Sequence, residues 1–370
     1  MDLRRYYCNK SNYADYKPLN AGKKTLIYFG DSIKISSPGG QHFLLFTPSL
    51  PAELCNKQVI ICATVSQMNH PALAQFFHCY EEETRGNKKF RMVFEDIGTS
   101  LAFYLRSANK SQPTSFWTPT IKWRTLYGIA HALSFLHSKN IIHRYLNPDS
   151  IFFKKTPEGS IEVKLFEYFG VESNFTKRTH QIFDAPEVID TDINTFTLES
   201  DIYSFGVLAY IILGIRCSSE KSLTTLPSSK ANIRELQNSE SPNSFPDVSK
   251  LETKYPKLAE MIKKCCSVDP SQRLKLTDIL DILKDPSNMK ANSIDIDQEY
   301  LSRLNAISSS ISNHPFFSMP FPFQNASPNP SISPFSSISP FSSIYIICIK
   351  IMIIFILIRV CKFIFIIKIF

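Results

Sequence analysis

Nine cysteines are the first candidates for chemistry in this chain: Cys8, Cys55, Cys62, Cys79, Cys217, Cys265, Cys266, Cys348 and Cys361. Thiolates hold zinc or exchange disulfides when they come as C-x-x-C pairs. No pair here has that spacing and the number is odd, which predicts buried or idle thiols in a reducing compartment. Lysine and arginine are the next candidates. Their net excess of +8 is mild, and they are scattered rather than gathered into a stripe, so no nucleic-acid partner is expected. A third candidate is the segment Leu136–Phe153, "LHSKNIIHRYLNPDSIFF", which sets His143 and Arg144 ahead of Pro148 and Asp149. A lone His-Arg pair fixes no chemistry, and its meaning depends on the elements that carry it.

Those elements follow from patterning. With 44% hydrophobic, 12% aromatic and 20% charged residues, the 370-residue chain has the composition of a folded protein and room for one large two-lobed domain. The N-terminus, Met1-Asp2-Leu3-Arg4-Arg5-Tyr6-Tyr7, has no apolar stretch behind its charges and does not read as a secretory signal. "TLIYFG", "SIKIS" and "HFLLFT" are short runs between turns and predict strands, with Pro38-Gly39-Gly40 as one of the turns. "KQVIICATVSQM" predicts a helix and "FRMVFEDIG" a strand ending at a turn. Thr118-Pro119 offers an N-cap followed by proline at the first helical position, ahead of Leu126, Ile129, Ala130, Leu133 and Leu136 at helical spacing. The run Ile202–Leu213 is apolar nearly all round and closes on Gly214, so its helix must be buried on every side. Leu258, Met261, Ile262 and Cys265 mark another helix, and Leu276–Leu283 a last one. Strands first and helices afterwards predict an α+β chain with a small sheet lobe and a larger helical lobe.

Set in that frame, Leu136–Phe153 resembles the catalytic-loop region of protein kinases, where a helix ends in L-H and leads into H-R-D-L-K-P-x-N. His143, Arg144, Leu146 and Pro148 match. Asp184-Ala185-Pro186-Glu187 resembles the A-P-E end of the activation segment. "SDIYSFGVLAYIILG" is similar to the central buried helix of the large lobe, and "CCSVDPSQRLKLTDIL" to the closing C-W-x-x-D-P-x-x-R-P element. "NHPALAQFFHCY" and "MVFEDIGTSL" are similar to the fourth-strand and hinge regions. The matches keep the family's order over about 265 residues and lean toward the tyrosine-kinase-like serine/threonine group. The resemblance implies a two-lobed protein-kinase-like fold over residues 21–286, with a small lobe over 21–95 and a large lobe over 96–286. Residues 1–20 are expected to be a polar leader. Residues 287–343 include the Ser-, Pro- and Phe-rich "SISPFSSISPFSSI" and are expected to be a disordered linker.

What the resemblance implies is kept is structural. Glu187 is expected to pair with Arg273, and Asp201 to accept hydrogen bonds from the catalytic-loop backbone beside His143. Arg144 is expected either to rest on a Glu or on backbone carbonyls, or to bind a phosphate on the activation segment, for which Thr176 and Thr179 are candidates. What is lost is chemical. Phosphoryl transfer needs a lysine on the phosphates, carboxylate-held magnesium and an Asp at the substrate hydroxyl. That Asp is Tyr145 here, a phenol with an ordinary pKa of about 10. The loop lysine is Asn147 and the magnesium-binding Asn is Ser150; Asp149, four residues past the catalytic position, is expected to point elsewhere. The magnesium-binding D-F-G reads Phe166-Glu167-Tyr168-Phe169-Gly170, so either Glu167 replaces the Asp, with the glycine one place late, or Tyr168 does. In the small lobe only Gly30 is left of the glycine loop. The register puts Phe46 at the lysine, Ile61 at the partner glutamate, Leu44 over adenine, Phe94 at the gatekeeper and Phe152 at the pocket floor. Leu44, Phe94 and Phe152 are expected to fill the nucleotide site. Lys34, on the second strand, is the substitute lysine in the manner of the with-no-lysine kinases.

Two functions follow from the resemblance. The first is a pseudokinase, needing no cofactor and acting in signalling by docking to or allosterically regulating a protein partner, such as an active kinase. The second is an atypical serine/threonine kinase using Glu167 and Lys34 with Mg-ATP. The last residues, Ile344–Phe370, are mostly Ile, Phe and Leu broken by Lys350, Arg359, Lys362 and Lys368, and are long enough to span a bilayer. They predict a tail anchor with the kinase-like domain in the cytosol. The competing origin is translated AT-rich non-coding DNA, and exposed residues of this kind are strongly β-aggregation-prone.

Overall fold

The computed structural model describes residues 3–19, 25–27, 30–50, 52–84, 87–108, 116–157, 159–168, 181–189, 196–214, 248–285, 288 and 298–312. Short alternating runs become an antiparallel sheet: β1 Lys17–Pro18, β2 Thr25–Ile27, β3 Gly30–Ser36, β4 His42–Pro48, β5 Phe76–Thr84 and β6 Asn87–Glu95. Its order is β1-β3-β4-β6-β5, with β2 also on β3. Helix α1, Ala52–Ser66, crosses to β5. Register sets one row across four strands: Lys34 faces Leu44, Leu44 faces Phe94, and Phe94 faces Phe76. Direct cross-strand partners share a sheet face, so this row with Phe46, two residues beyond Leu44, forms the small lobe's inner surface.

From Asp96 the chain turns into the helical lobe. Gly98 has φ +82° and a Cβ there would lie 2.0 Å from the carbonyl oxygen of Phe153, so only glycine fits this crossing. A three-stranded sheet follows, β7 Thr99–Ser100, β8 Ile151–Lys155 and β9 Ile161–Leu165, in sequence order. The helices are α2 Leu101–Ala108, α3 Pro119–Ser138, α4 Pro186–Ile189, α5 Leu198–Gly214, α6 Ser249–Glu252, α7 Pro256–Cys265, α8 Leu276–Lys284 and α9 Gln298–Ser312. Thr118 caps α3, its hydroxyl accepting from Ile121 N at 3.2 Å, and Pro119 occupies the first turn. Every residue of α5 from Ser200 to Gly214 is buried.

Two boundaries differ from expectation. Residues 3–19 are not a detached leader. Tyr6 is buried, stacks on Phe76 at 5.5 Å and donates its hydroxyl to the Ala63 carbonyl of α1 at 3.1 Å. Tyr7 bridges to Cys79 on the outer strand β5, and Tyr13 stacks on Tyr80 at 5.4 Å. Composition hid this because four tyrosines among polar residues read as a polar segment. The expected linker also begins with structure. On α9, Tyr300 and Leu304 are buried, the Tyr127 hydroxyl donates to Asn305 at 3.2 Å and Arg303 meets Glu162 at 2.8 Å. Two apolar residues one turn apart suffice to seat this helix on α3, too few to show as a periodic pattern. The rest of the expected linker and the proposed anchor, 344–370, lie outside the described residues, as do Thr176 and Thr179. Among the described residues no helix is long and apolar enough to cross a membrane.

Candidate functional site

The catalytic-loop segment is held from below by Asp201 at the start of α5. Its carboxylate accepts from the backbone N–H groups of His143 (2.7 Å) and Arg144 (2.9 Å) and lies 2.9 Å from His137 Nε2. Arg144 takes a left-handed φ of 67°, and its guanidinium lies 5.9 Å from the centre of the Phe196 ring. His143 Nδ1 accepts from the Tyr145 amide, so Nε2 carries the proton and donates to the Phe166 carbonyl at 3.0 Å. Burial drives the His143 pKa down to about 4, outweighing the pull of Asp201.

The loop's polar side chains are spent on the loop itself. Asn147 donates from Nδ2 to the Tyr145 carbonyl at 3.0 Å and accepts at Oδ1 from the Asp149 amide at 2.7 Å. The Ser150 hydroxyl donates to the Asn147 carbonyl at 2.9 Å and accepts from the Asn147 amide at 3.2 Å. Both side chains are buried. Tyr145 is half-buried at the position of the family's Asp, and a phenol is no proton acceptor at neutral pH.

Across the loop, Phe166 follows β9 directly and is fully buried. Its ring meets three others edge to face: Phe94 at 5.0 Å, Phe46 at 5.7 Å and Phe152 at 6.0 Å. Phe46 and Phe94 are likewise buried with no exposed surface, Leu44 is 3% exposed and Phe152 6%. The structure thus brings Phe46, Phe94 and Phe152, expected at the lysine, gatekeeper and pocket-floor positions, into one apolar cluster. Phe166 completes it, and neither its spacing nor its type marked it beforehand. Each edge-to-face pair contributes about 0.5–1.5 kcal/mol beyond its burial.

Ile61 is half-exposed on the rim of α1. The buried stripe of that helix runs through Cys55, Gln58, Val59, Cys62 and Ser66. Gln58, one turn before Cys62, is completely buried, and among the described residues neither of its side-chain amide atoms meets a hydrogen-bond partner. Cys62 and Ser66 lie against Tyr168. Ile61, expected at the partner-glutamate position, is thus not on the buried stripe of α1.

Lys34 forms a 2.8 Å ion pair with Asp96 at the lobe connection. Next to it, Glu95 receives Lys154 at 2.7 Å and the buried Lys164 at 2.8 Å. Burial would raise the Glu95 carboxyl, but the two ammonium groups outweigh it and hold it below the usual range. Lys154, Lys164 and Glu95 gave no sequence signal beyond alternation along their strands. Glu167 is fully buried with φ 62°. A magnesium site needs several oxygen ligands with room for water. Ser150 and Asn147 already spend their side chains on backbone partners, so this arrangement does not fit a magnesium ion. Among the described residues no three His, Cys, Asp or Glu side chains converge on a metal position.

With this geometry in place, comparison with known proteins gives a consistent answer. The family model described as protein kinase domain matches residues 58–283, more than half of the chain and beginning inside α1. MAP kinase-activated protein kinase 2 of Drosophila melanogaster is 30% identical over 166 residues, 42% of this chain and 43% of that protein. A cell cycle serine/threonine-protein kinase of Saccharomyces cerevisiae is 24% identical over 264 residues, 68% of this chain and 34% of the relative. A Raf homolog serine/threonine-protein kinase of Caenorhabditis elegans is 28% identical over 192 residues, 46% of this chain and 22% of the relative. The matched region thus spans less than half the length of each of these relatives. Sheet lobe, helical lobe, Asp201-supported loop and Glu187–Arg273 pair agree with the family match: the chain belongs to the protein kinase family.

Proposed function

We propose that this kinase domain is a non-catalytic signalling module, a pseudokinase whose output is contact with a protein partner rather than phosphate transfer. The observation that carries the reading is the buried Phe46–Phe166–Phe94–Phe152 cluster, three of whose members stand at the positions where the resemblance puts the phosphate lysine, the gatekeeper and the adenine-pocket floor. Opening it forfeits its ring contacts, roughly 2–4 kcal/mol, and lowers any apparent nucleotide affinity by tens- to hundreds-fold. Tyr145, Asn147 and Ser150 support the reading independently, since none supplies the acid, base or metal ligand of phosphoryl transfer.

The alternative, an atypical serine/threonine kinase with Mg-ATP, needs Lys34 to leave Asp96 and Glu167 to leave its buried place. It also leaves the proton acceptor at Tyr145 unfilled. The partner proposed here is an active protein kinase. The test is transfer of labelled γ-phosphate from Mg-ATP to a generic basic protein substrate by the full chain and by Tyr145→Asp. Neither is expected to transfer phosphate above background. Transfer by the unaltered chain would overturn the proposal. Transfer by Tyr145→Asp alone would show that the rest of the site still accepts Mg-ATP and overturn its closed-site basis.

A further inference from the structure

We propose that the N-terminal segment is a latch that holds the nucleotide site closed, acting through an unbroken series of rings. The series starts at Tyr6, which stacks on Phe76 at 5.5 Å with the ring planes 17° apart. Phe76 meets Phe94 at 5.2 Å, and Phe94 meets Phe166 at 5.0 Å. Phe166 then contacts Phe46 and Phe152. Tyr6 is 8% exposed, Phe76 1%, and Phe94 and Phe166 0%, so the series lies inside the core rather than on it. Interiors are packed to crystal-like density, and a ring in such a row cannot move far unless its neighbours move.

A second tie reinforces the first. The Tyr6 hydroxyl donates to the carbonyl of Ala63 in the last turn of α1. The same last turns of α1 carry Cys62 and Ser66, which lie against Tyr168, two residues beyond Phe166. The Tyr168 hydroxyl in turn bonds the Ala74 carbonyl between α1 and β5. Tyr6 thus grips both the strand and the helix that frame the phenyl cluster. The segment around it is fastened separately. The Cys8 amide donates to the Cys79 carbonyl at 3.0 Å, and the Tyr13 hydroxyl lies 2.9 Å from His78 Nδ1. Lys10 pairs with Glu82 at 2.9 Å. Of these outer fastenings the Lys10–Glu82 pair and the Tyr13–His78 contact are exposed or half-exposed, while Tyr13 also stacks on Tyr80 and β1 beyond it stays in the sheet, so release at Tyr6 concerns residues 3–8.

This inference rests on the reading that the phenyl cluster closes the site. The test uses the full chain, its Tyr6→Ala and Tyr6→Phe variants, hydrogen exchange resolved by peptide, and melting with and without Mg-ATP. Tyr6→Ala is expected to speed exchange at 92–94 and 165–168 by about tenfold or more. Tyr6→Phe keeps the ring and is expected to match the unaltered chain at those positions. If faster exchange in Tyr6→Ala stays within residues 3–8, 60–66 and 76–80, the latch is overturned while the closed site stands. Equal acceleration by Tyr6→Phe would overturn transmission through the rings. A Mg-ATP shift in the unaltered chain would instead remove the closed site, and the latch with it. Should Tyr6→Ala lose its cooperative melt, Tyr6→Leu, which fills the place without an aromatic ring, is judged by the same criteria.

Discussion

Phe46, on β4 where the resemblance puts the lysine, is buried with no exposed surface. On α1 Gln58 is buried too, and among the described residues neither of its side-chain amide atoms is bonded. A buried polar group without a partner costs about 1–3 kcal/mol. Gln58 therefore carries a penalty that an apolar side chain of similar length would not. Gln58→Met is expected to raise the unfolding free energy by about 1 kcal/mol or more, read as a higher urea midpoint at unchanged slope. A lower midpoint would mean that the amide holds a contact important to the fold. At the opposite extreme is Arg273, whose side chain has no exposed surface. It donates to both Glu187 oxygens at 2.7 Å and to the carbonyls of Ser267 and Glu199. Removing one partner of such a pair typically costs about 3–5 kcal/mol.

Among the elements, α9 is the one that composition concealed. Tyr300 packs under the Arg124 guanidinium at 5.3 Å, and Gly128 of α3 leaves room for its hydroxyl, 2.5 Å from where a Cβ would sit. Gly128→Ala must push the Tyr300 ring off α3, and Tyr300→Ala removes it. Both are expected to destabilise the full chain, the second by about 3–5 kcal/mol, measured by denaturant unfolding. Unchanged stability in both would show that α9 contributes nothing to the fold. A domain cut to residues 21–286 would lack both Tyr6 and α9. The long elements were legible because their signals are redundant: Thr118-Pro119 marks the start of α3, and an all-apolar face marks α5. The order of the Leu136–Phe153, Ala185-Pro186-Glu187 and Arg273 motifs placed the large lobe. The small lobe was legible in its strands. It was less so on α1, where Ile61 and Gln58 are separated by a single turn and no motif anchors the helix. Phe166 and Tyr6 escaped because aromatic contacts between distant segments leave no periodic trace.

For the whole molecule, the two lobes meet through buried histidines as well as through the backbone. His70, from the turn after α1, lies 3.0 Å from His131 on α3, and Leu165 N donates to the Ala72 carbonyl at 2.7 Å. Burial pushes His131 and His143 down to about 4 and His70 well below its ordinary 6.5. In the unfolded chain these groups take up protons near pH 6.5, whereas the folded state keeps them neutral. Stability is therefore full above about pH 6.5 and falls as pH drops toward 4, at up to about 1.4 kcal/mol per pH unit for each histidine. Unfolding free energies at pH 7, 6 and 5 are expected to decline steadily. A flat profile over that window would contradict the burial of the three rings. Carboxylates held low by lysines, Glu95 and Asp96, act the same way but only at more acid pH, below the range of an ordinary carboxylate. Their contribution is present above that range and lost as the pH falls through their depressed values.

The account turns on whether the phenyl cluster keeps nucleotide out, and melting of the full chain with and without millimolar Mg-ATP addresses that directly. A ligand at 100 times its dissociation constant adds about 2.7 kcal/mol, or roughly 5–10 °C for a domain of this size. The closed site predicts coincident melting curves. A rise of several degrees would mean that Phe46, Phe94, Phe152 and Phe166 part readily for ATP, and would contradict the account.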